Sequence, residues 1–380
     1  LLVVLLSVSR FSSAGNILEF GADPDGYADS GDALLSAWAD ACNSRDPSVI
    51  YVPKGRFLIN TNLQFRGPCE NDATVIRIDG VLVAPSDYEA IGNANNWLLF
   101  NDVSGVSILG GTLDGRGHAL WACKKSGGDC PVGATTIGIW NSQNVEVVGL
   151  ETLNSQMFHI VVNGCRDVKL QQVTVLASED SPNTDGIHVQ FSNRVTILDS
   201  VIGSGDDCIS IGPGTSDLWI ENVVCGPGHG ISIGSLGKKY DEEGVENVVV
   251  KNVRFKGTEN GVRIKTWARP SKGFVRGVVF QHAVMHDVRN PIVIDQNYCP
   301  YHYNCPQEES GVRISDVLYE DIQGTSATEV AMKFDCSKTT PCENIRLENV
   351  NLRYNEQEAR SSCANAAGTV AGNVQPSSCL

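Results

Sequence analysis

A short apolar phrase recurs along the chain, and this repetition constrains the fold more than any other feature. From residue 105 onward, segments such as "GVSILGGTL", "NVEVVGLET" and "DVKLQQVTV" alternate branched apolar residues with polar ones. The first aliphatic residue of the later phrases falls at positions 145, 168, 195, 218, 248, 278, 312 and 345, so the spacing is 23 to 34 residues. Such a period predicts a solenoid, because one unit is too short to bury its own apolar face.

A second series of strands lies between these phrases and includes "DGIHV", "DCISI", "HGISI" and "NGVRIK". Alternate residues of a strand point to opposite faces. Inward stacks are therefore predicted for Ile187 with Val189, Ile209 with Ile211, Ile231 with Ile233, and Val262 with Ile264. The outward positions on this sheet are His188, Ser210, Ser232, Arg263 and Lys265.

Two to three short strands per coil predict an all-β fold, a right-handed parallel β-helix formed by one chain. A β-propeller is the alternative, but its units need about four strands and some 40 or more residues. The segment "SGDALLSAWADAC" has helical apolar spacing and predicts a short N-terminal capping helix with Ser30 or Asp32 as its N-cap. The tail from about Glu356 is rich in Ser, Ala and Asn and predicts an irregular C-terminal cover.

The first residues, "LLVVLLSVSRFSSAGN", resemble the apolar part of a secretory leader followed by small residues. We interpret residues 1–14 as a partial signal peptide cleaved near Ala14, and residues 15–380 as a single domain. The alternative is a buried N-terminal strand. No later apolar run reaches membrane-spanning length, so we expect a secreted, soluble, extracellular protein, monomeric and with no membrane partner after cleavage.

The chain contains 13 cysteines, which suits an oxidising compartment. Close spacings predict short-loop disulfides for Cys123 with Cys130, Cys299 with Cys305, and Cys336 with Cys342. No paired CxxC or Cys/His grouping indicates zinc. Cys165 has no near neighbour in the sequence and is the candidate for a buried free thiol.

The formal net charge of −15 argues against a nucleic acid partner, because phosphate binding needs a basic surface. It also implies that an acidic substrate would have to be held by a local basic cluster.

Asp185, Asp207 and His229 occupy one position of the five-residue pattern, each 22 residues after the last. Neighbouring coils lie about 4.8 Å apart, so these residues should form a column, with Asp206 beside Asp207. Arg263 and Lys265, here called the basic pair, should lie one coil beyond His229. The structural alternative is that aspartates close turns, His229 is an ordinary surface residue, and the basic pair lies on a solvated strand face. Adjacent like charges cost stability, which favours a function for the column.

Glycoside hydrolysis uses such carboxyl groups: one protonated, to supply the leaving oxygen with a proton, and one ionised, to activate water. Repulsion among Asp185, Asp206 and Asp207 should raise the pKa of one of them. Arg263 and Lys265 would supply the basic cluster that an acidic sugar requires. This chemistry needs no cofactor and no metal.

The ordered motifs "NTDG" (183–186), "GDDC" (205–208), "GHGISIGS" (228–235) and "RIK" (263–265) resemble those of the polygalacturonases, glycoside hydrolases that cleave pectin. The resemblance extends from "FGADPDG" near residue 20, through "GGTLDGRG" (110–117), to the cysteine near the end. Two further segments, "GTSATEVAMKFDCSKTTPC" and "SSCAN", resemble the pollen-type exopolygalacturonases of plants. The implied activity is hydrolysis of α-1,4-galacturonosyl linkages in pectin or polygalacturonate, in the cell wall, with exo action expected.

The resemblance also implies a role for each residue of the site. Asp206 would be the general acid, and Asp185 and Asp207 would share the base role on a water molecule, which gives inversion. His229 would tune or orient the acid. Residues implied in substrate binding are Asn183, Arg263, Lys265 and Tyr298, and a disulfide is implied between Cys208 and Cys225.

Two other functions remain open at this point. A calcium-dependent pectate lyase would share the fold and the substrate, with carboxylates binding Ca²⁺ and a basic residue removing a proton. A non-catalytic polysaccharide-binding β-helix would keep the fold without the activity.

Overall fold

The chain forms a solenoid of short parallel strands. The computed structural model describes residues 12–300, 303–355 and 357–380. Within these residues each regular coil contributes three strands, which stack in three parallel rows, here called sheets I, II and III. The long strand Cys342–Tyr354 pairs with strands of both II and III, so these two rows are joined into one hydrogen-bonded sheet. The predicted all-β right-handed parallel β-helix is confirmed.

The strands of the three sheets follow one another in a fixed order along the chain. Sheet I consists of Leu63–Arg66, Asn96–Asn101, Thr135–Trp140, Ile160–Asn163, Ile187–Gln190, Ile209–Ile211, Ile231–Leu236, Asn260–Trp267, Asn290–Tyr298, Val330–Asp335 and Arg360–Ala364. Sheet II consists of Ser12–Asn16, Ser48–Val52, Thr74–Ile78, Ser104–Leu109, Gln143–Val148, Arg166–Gln171, Asn193–Leu198, Ser216–Glu221, Val245–Lys251, Phe274–Gln281, Arg313–Glu320, Cys342–Tyr354 and Ala366–Gln375. Sheet III consists of Asp25–Asp29, Arg56–Leu58, Val81–Val83, Thr112–Asp114, Glu151–Leu153, Thr174–Leu176, Val201–Gly203, Val224–Cys225, Arg254–Lys256, Val284–Val288 and Gln323–Ser326, while Gln357–Glu358 forms a small antiparallel hairpin.

The core lies inside the coils and is built from the inward stacks of all three sheets. In sheet I, Ile187 pairs with Ile209 and Ile209 with Ile231, and all three side chains are fully buried. Because every coil presents the same alternation, each apolar layer covers the one before it. The predicted inward stacks are therefore confirmed.

The first aliphatic residues of the repeated phrases are register partners in sheet II except at one coil. Val145, Val168, Val195, Leu218, Val248 and Val278 are successive partners. The next partner is Val317, which then pairs with Ile345, so Val312 does not occupy the repeat position of its coil. The strands Phe274–Gln281 and Arg313–Glu320 are longer than their predecessors, and Ile314 already pairs with Val275. Consequently the first aliphatic residue no longer marks the repeat position.

The capping helix is confirmed at Gly31–Asn43. Of its predicted apolar residues, Leu34, Trp38, Ala41 and Cys42 are buried, whereas Leu35 is only partly buried. The capping interaction differs from the prediction. Ser30 occupies the N-cap position, but its side chain makes no capping hydrogen bond and instead accepts one from the backbone N–H of Asp23. The first helical N–H, that of Gly31, donates to Oδ1 of Asp29.

Three shorter helical segments lie outside the sheets. They are the 3₁₀ turn Ile17–Phe20 and the helices Glu89–Gly92 and His118–Lys125. Within the described part of the chain, no helix is both long enough and apolar enough to cross a bilayer.

The C-terminal prediction was wrong. Instead of an irregular cover, Arg360–Ala364 and Ala366–Gln375 add a further strand to sheets I and II. Their residues are mostly exposed, so they lack the apolar alternation from which a strand is predicted. Backbone pairing to the preceding coil is sufficient, and Gly368 allows it, since a Cβ there would lie 1.9 Å from the carbonyl oxygen of Ile345.

The predicted leader falls largely outside the described residues. Residues 1–11 are not described, and the strand Ser12–Asn16 pairs with Ser48–Val52 in sheet II. The expected cleavage point near Ala14 lies inside this strand. The leader therefore stays a prediction.

All the predicted disulfides are present: Cys123–Cys130, Cys299–Cys305, Cys336–Cys342 and Cys208–Cys225. Cys42–Cys69 and Cys363–Cys379 complete the set among the described residues. Cys165 is a buried free thiol, as predicted, and burial raises its pKa to about 11.

Candidate active site

The polar column lies at the start of the sheet I strands. Asp185, Asp207 and His229 each come two residues before a member of the aligned set Ile187, Ile209 and Ile231. The main chain keeps them in adjacent coils, since the N–H of Gly186 donates to the carbonyl of Asp207 at 2.9 Å. The predicted column is therefore present, and the strand register is what produces it.

Asp207 is the centre of a buried ionic network. Its Oδ1 accepts hydrogen bonds from Nη2 of Arg263 at 2.9 Å and from Oγ of Ser232 at 2.8 Å, and its Oδ2 accepts from Nζ of Lys265 at 2.8 Å. Ser232 also accepts from Nε of Arg263 at 3.0 Å. The side chains of Arg263 and Lys265 are only 10% and 8% exposed. The alternative that Arg263 and Lys265 lie on a solvated strand face is therefore wrong. Their side chains point outward from sheet I, but contacts with Ser232 and Asp207 shield them from solvent.

The three carboxyl groups lie in different electrostatic environments. Burial acts to raise the pKa of Asp207, but Lys265 and Arg263 outweigh it and lower that pKa to about 2. Asp185 is also buried and has a pKa well above its usual value, first because of burial and then because of the charges of Asp206 and Asp207. The expectation that one carboxyl has a raised pKa is met at Asp185, where burial is the largest single cause.

Asp206 is paired with His229. Its Oδ1 lies 3.0 Å from Nδ1 of His229 and also accepts a hydrogen bond from the N–H of Asp207 at 2.8 Å. Burial lowers the pKa of His229, but the hydrogen bond to Asp206 and the surrounding carboxylates outweigh this and raise it. The side chain of Asp206 is 19% exposed, so it can reach a bound molecule.

The residues expected to bind substrate surround these groups. Nδ2 of Asn183, an exposed residue, lies 3.5 Å from Oδ2 of Asp206. Nζ of Lys265 lies over the ring of Tyr298 at 5.2 Å from its centroid. Tyr298 is held edge-on against Trp267, with ring centroids 5.4 Å apart. All eight residues predicted for the site are thus in one region of sheet I.

Sequence reasoning missed Ser232 as a network member and missed Glu259 altogether. Oε2 of Glu259 lies 3.4 Å from Nε2 of His229, on the far side of the ring from Asp206. A cavity of about 590 Å³ opens here, with Glu179, Asp287 and Arg289 in its lining. The strand alignment could have identified Glu259. Asp206 comes three residues before Ile209, and Glu259 comes three residues before Val262, which is the aligned residue two coils further on.

The same region contains a group of possible metal ligands. Asp206, Asp207 and His229 each offer a ligand atom, and these atoms lie within 4.8 Å of one another. Both oxygens of Asp207 already accept from cations, so a divalent ion would lie beside two positive charges. Calcium also takes about six to eight oxygen ligands. The residues fit a metal poorly, and we assign none.

The chain is similar to known proteins over almost its whole length. A polygalacturonase from Prunus persica is 62% identical over 366 residues, which cover 96% of this chain and 93% of that protein. An exopolygalacturonase from Platanus acerifolia is 40% identical over 375 residues, covering 97% of this chain and 98% of that protein. The solved structure of an endo-xylogalacturonan hydrolase from Aspergillus tubingensis matches with a TM-score of 0.77 at 20% identity, over 92% of this chain and 98% of that one, which bears on the fold alone.

Residues 42–379 match the family described as "Glycosyl hydrolases family 28". This match contains every residue of the polar column and the basic pair. The chain belongs to family 28 of the glycosyl hydrolases.

Proposed function

We propose that this protein hydrolyses α-1,4-galacturonosyl linkages in polygalacturonate and pectin. The supporting observation is the environment of the three carboxyl groups. Asp206 contacts His229 and is reachable from the cleft, Asp207 is held ionised by two cations, and Asp185 is buried with a raised pKa. This arrangement offers a proton donor and a proton acceptor within one column, as glycoside hydrolysis requires.

In the proposed mechanism Asp206 donates its proton to the leaving glycosidic oxygen. Asp185, ionised, accepts a proton from the attacking water. Its raised pKa makes it a stronger base than Asp207, whose pKa of about 2 reflects its pairing with Lys265 and Arg263. Asp207 then orients the water and stabilises charge. Attack from the face opposite the leaving group inverts the anomeric centre.

The basic pair is proposed to bind the carboxylate of a galacturonate unit. Lys265 has three N–H donors and Arg263 has five, and Asp207 and Ser232 use only part of them. Their remaining donors can serve the substrate. This local cluster offsets the overall charge of −15, which would otherwise repel a polyanion.

The proposal is tested by incubating the protein with polygalacturonate in the presence and absence of EDTA. A hydrolase releases saturated galacturonate in both conditions, because the acid and the base are side chains. A lyase would leave an unsaturated, ultraviolet-absorbing end and would stop without Ca²⁺. A binding module would produce no new ends, and either of these results would contradict the proposal.

Exo action, with release of monogalacturonate from the non-reducing end, is the narrower proposal. It is supported by the Platanus acerifolia relative and by the segments at 324–342 and 361–365. Viscosity and reducing ends are measured together during digestion. We expect end groups to accumulate with little thinning; a rapid fall in viscosity at low end-group release would show endo action instead.

Secretion to the cell wall and a monomeric state are also proposed. The six disulfides support an oxidising compartment. Light scattering of the purified protein should give the mass of one chain. N-terminal sequencing of secreted protein should give a start near residue 15, whereas retention of residues 1–14 would contradict the leader.

A further inference from the structure

His229 lies between two carboxylates that come from different coils. Nδ1 is 3.0 Å from Oδ1 of Asp206, and Nε2 is 3.4 Å from Oε2 of Glu259. Both ring nitrogens therefore face an acidic oxygen. A neutral imidazole carries a single N–H, so it can donate to only one of these oxygens at a time.

The coil register explains this geometry. Asp206, Gly228 and Glu259 each come three residues before a member of the aligned set Ile209, Ile231 and Val262. Asp206 and Glu259 thus occupy one repeat position, and their backbones are about 10 Å apart across two coils. The intervening residue is glycine, and a Cβ at Gly228 would lie 2.6 Å from the carbonyl oxygen of Asp206. A side chain at Gly228 would therefore collide with the main chain of the preceding coil, so neither a third carboxylate nor any other side chain lies between Asp206 and Glu259 at this repeat position.

The main chain around Glu259 is also held in place. Its N–H donates to the carbonyl of Gly228 at 2.8 Å, and its carbonyl accepts from the N–H of Asn290 at 2.9 Å. On the neighbouring strand position, Nδ2 of Asn260 donates to the carbonyl of His229 at 3.1 Å. Glu259 and His229 are therefore fixed relative to each other through the backbone.

We propose that Glu259 is a positioning residue for the general acid: it keeps a proton on Nε2 of His229 and so leaves Nδ1 to exchange the catalytic proton with Asp206. Asp206, His229 and Glu259 together hold two protons in the active enzyme. In one state, Asp206 is protonated and lies beside a neutral ring that carries Nε2–H. The other state is ionised Asp206 beside a doubly protonated ring. Moving one proton between Oδ1 and Nδ1 interconverts them, with no proton gained or lost.

This inference rests on the proposed role of Asp206 as acid. Loss of one proton leaves Asp206 ionised beside a neutral ring, so activity should fall as pH rises through that ionisation. The charged groups around the ring are Asp206, Asp207 and Glu259, and the adjoining cavity adds Glu179, Asp287 and Arg289. Since Glu259 is 48% exposed, its effect is screened and should be moderate.

The test compares Glu259→Gln, Glu259→Ala and the control Asp287→Asn, which removes a carboxylate from the same cavity. In Glu259→Gln the amide oxygen can still accept from Nε2–H, but the charge is lost. We expect the alkaline limb of kcat/KM to move to lower pH, with roughly a 3- to 10-fold loss on that limb and a nearly unchanged plateau. In Glu259→Ala the plateau should fall as well. The profile of Asp287→Asn should match the wild type on the alkaline limb.

A second measurement does not depend on activity. NMR titration of histidine-labelled full-length protein should show the His229 midpoint at lower pH in Glu259→Gln than in wild type or Asp287→Asn. Equal midpoints in all three proteins would overturn the inference even if the enzyme is active. A uniform rise in KM at every pH would also overturn it, because Glu259 would then bind sugar. Inactivity of the wild type would contradict the proposed function but leave the titration interpretable.

Discussion

Nη2 of Arg263 lies 2.9 Å from Oδ1 of Asp207, although the two residues are separated by two coils of the solenoid. Lys265, on the same strand as Arg263, takes the other oxygen at 2.8 Å. The basic pair therefore has a role before any substrate binds, since it keeps Asp207 ionised inside the protein. Substitution of Lys265 should consequently reduce stability, whereas substitution of Asp206, which lies beside the network, should reduce activity.

Asp206→Asn should abolish turnover without abolishing binding. The amide keeps the shape of the side chain but carries no transferable proton, so we expect a loss of at least about 100-fold in kcat. Direct binding of galacturonate oligomers should remain within a few-fold of wild type. Near-normal turnover by this variant would remove Asp206 from the acid role.

Lys265→Met should destabilise the protein at neutral pH. Removing one partner of a buried ion pair leaves Asp207 with a single cation, and such changes cost about 3 kcal/mol. The folded-state pKa of Asp207 is depressed, so its contribution is present above the unfolded value of 3.8 and is lost as pH falls toward about 2. Denaturant unfolding at several pH values should therefore show the deficit of Lys265→Met shrinking toward pH 2.

The control for that experiment is Lys272→Met. Lys272 pairs with Asp241 at 2.8 Å, but both side chains are more than half exposed. An exposed pair contributes about 0–1 kcal/mol, so this variant should unfold almost as the wild type does. An equal loss of unfolding free energy in the two lysine variants would mean that the buried network stabilises the protein no more than an exposed ion pair does.

Arg263→Met should weaken the binding of galacturonan more than that of a neutral glycan. A hydrogen bond to a charged group contributes about 1.5–3 kcal/mol, which corresponds to roughly a 10-fold or greater loss in affinity for the acidic chain. Binding is measured calorimetrically in an Asp206→Asn background, so that no substrate is consumed. A similar loss for acidic and neutral ligands would point to a general structural effect.

Asp185→Asn should increase stability relative to wild type as pH rises. The pKa of Asp185 is raised in the folded state, so the folded protein holds this proton more tightly than the unfolded chain. Wild-type stability therefore falls as pH rises from the unfolded pKa of 3.8 to the folded pKa, by about 1.4 kcal/mol for each pH unit between them. The asparagine variant lacks this penalty and should also be inactive.

Melting temperatures of Asp185→Asn and wild type at pH 4 and pH 7 measure this difference. The gain of the variant should be larger at pH 7, while Asp129→Asn, at an exposed position, should show no such trend. A constant difference between the two pH values would contradict the account of Asp185.

Several features could be predicted because they depend only on local pattern. The 22-residue spacing of Asp185, Asp207 and His229 predicts their column, and alternation predicts the inward stacks. Two features could not be predicted from that pattern. Val317 was missed as the repeat position because strand length varies between coils, and the strand Ala366–Gln375 carries little apolar pattern of its own. In both cases pairing with the preceding coil decided the outcome.

The sequence by itself therefore determined the parallel β-helix and the position of each reactive side chain along the repeat, because alternation and motif spacing are local properties. Its ordered motifs also carried the resemblance to the family. The tertiary structure alone decided which charges meet. Arg263 and Lys265 reach back over Ser232 to Asp207, burial raises the pKa of Asp185, and Glu259 approaches His229 across a glycine. Burial and the distances between charges depend on how the coils stack, and a linear pattern does not specify them.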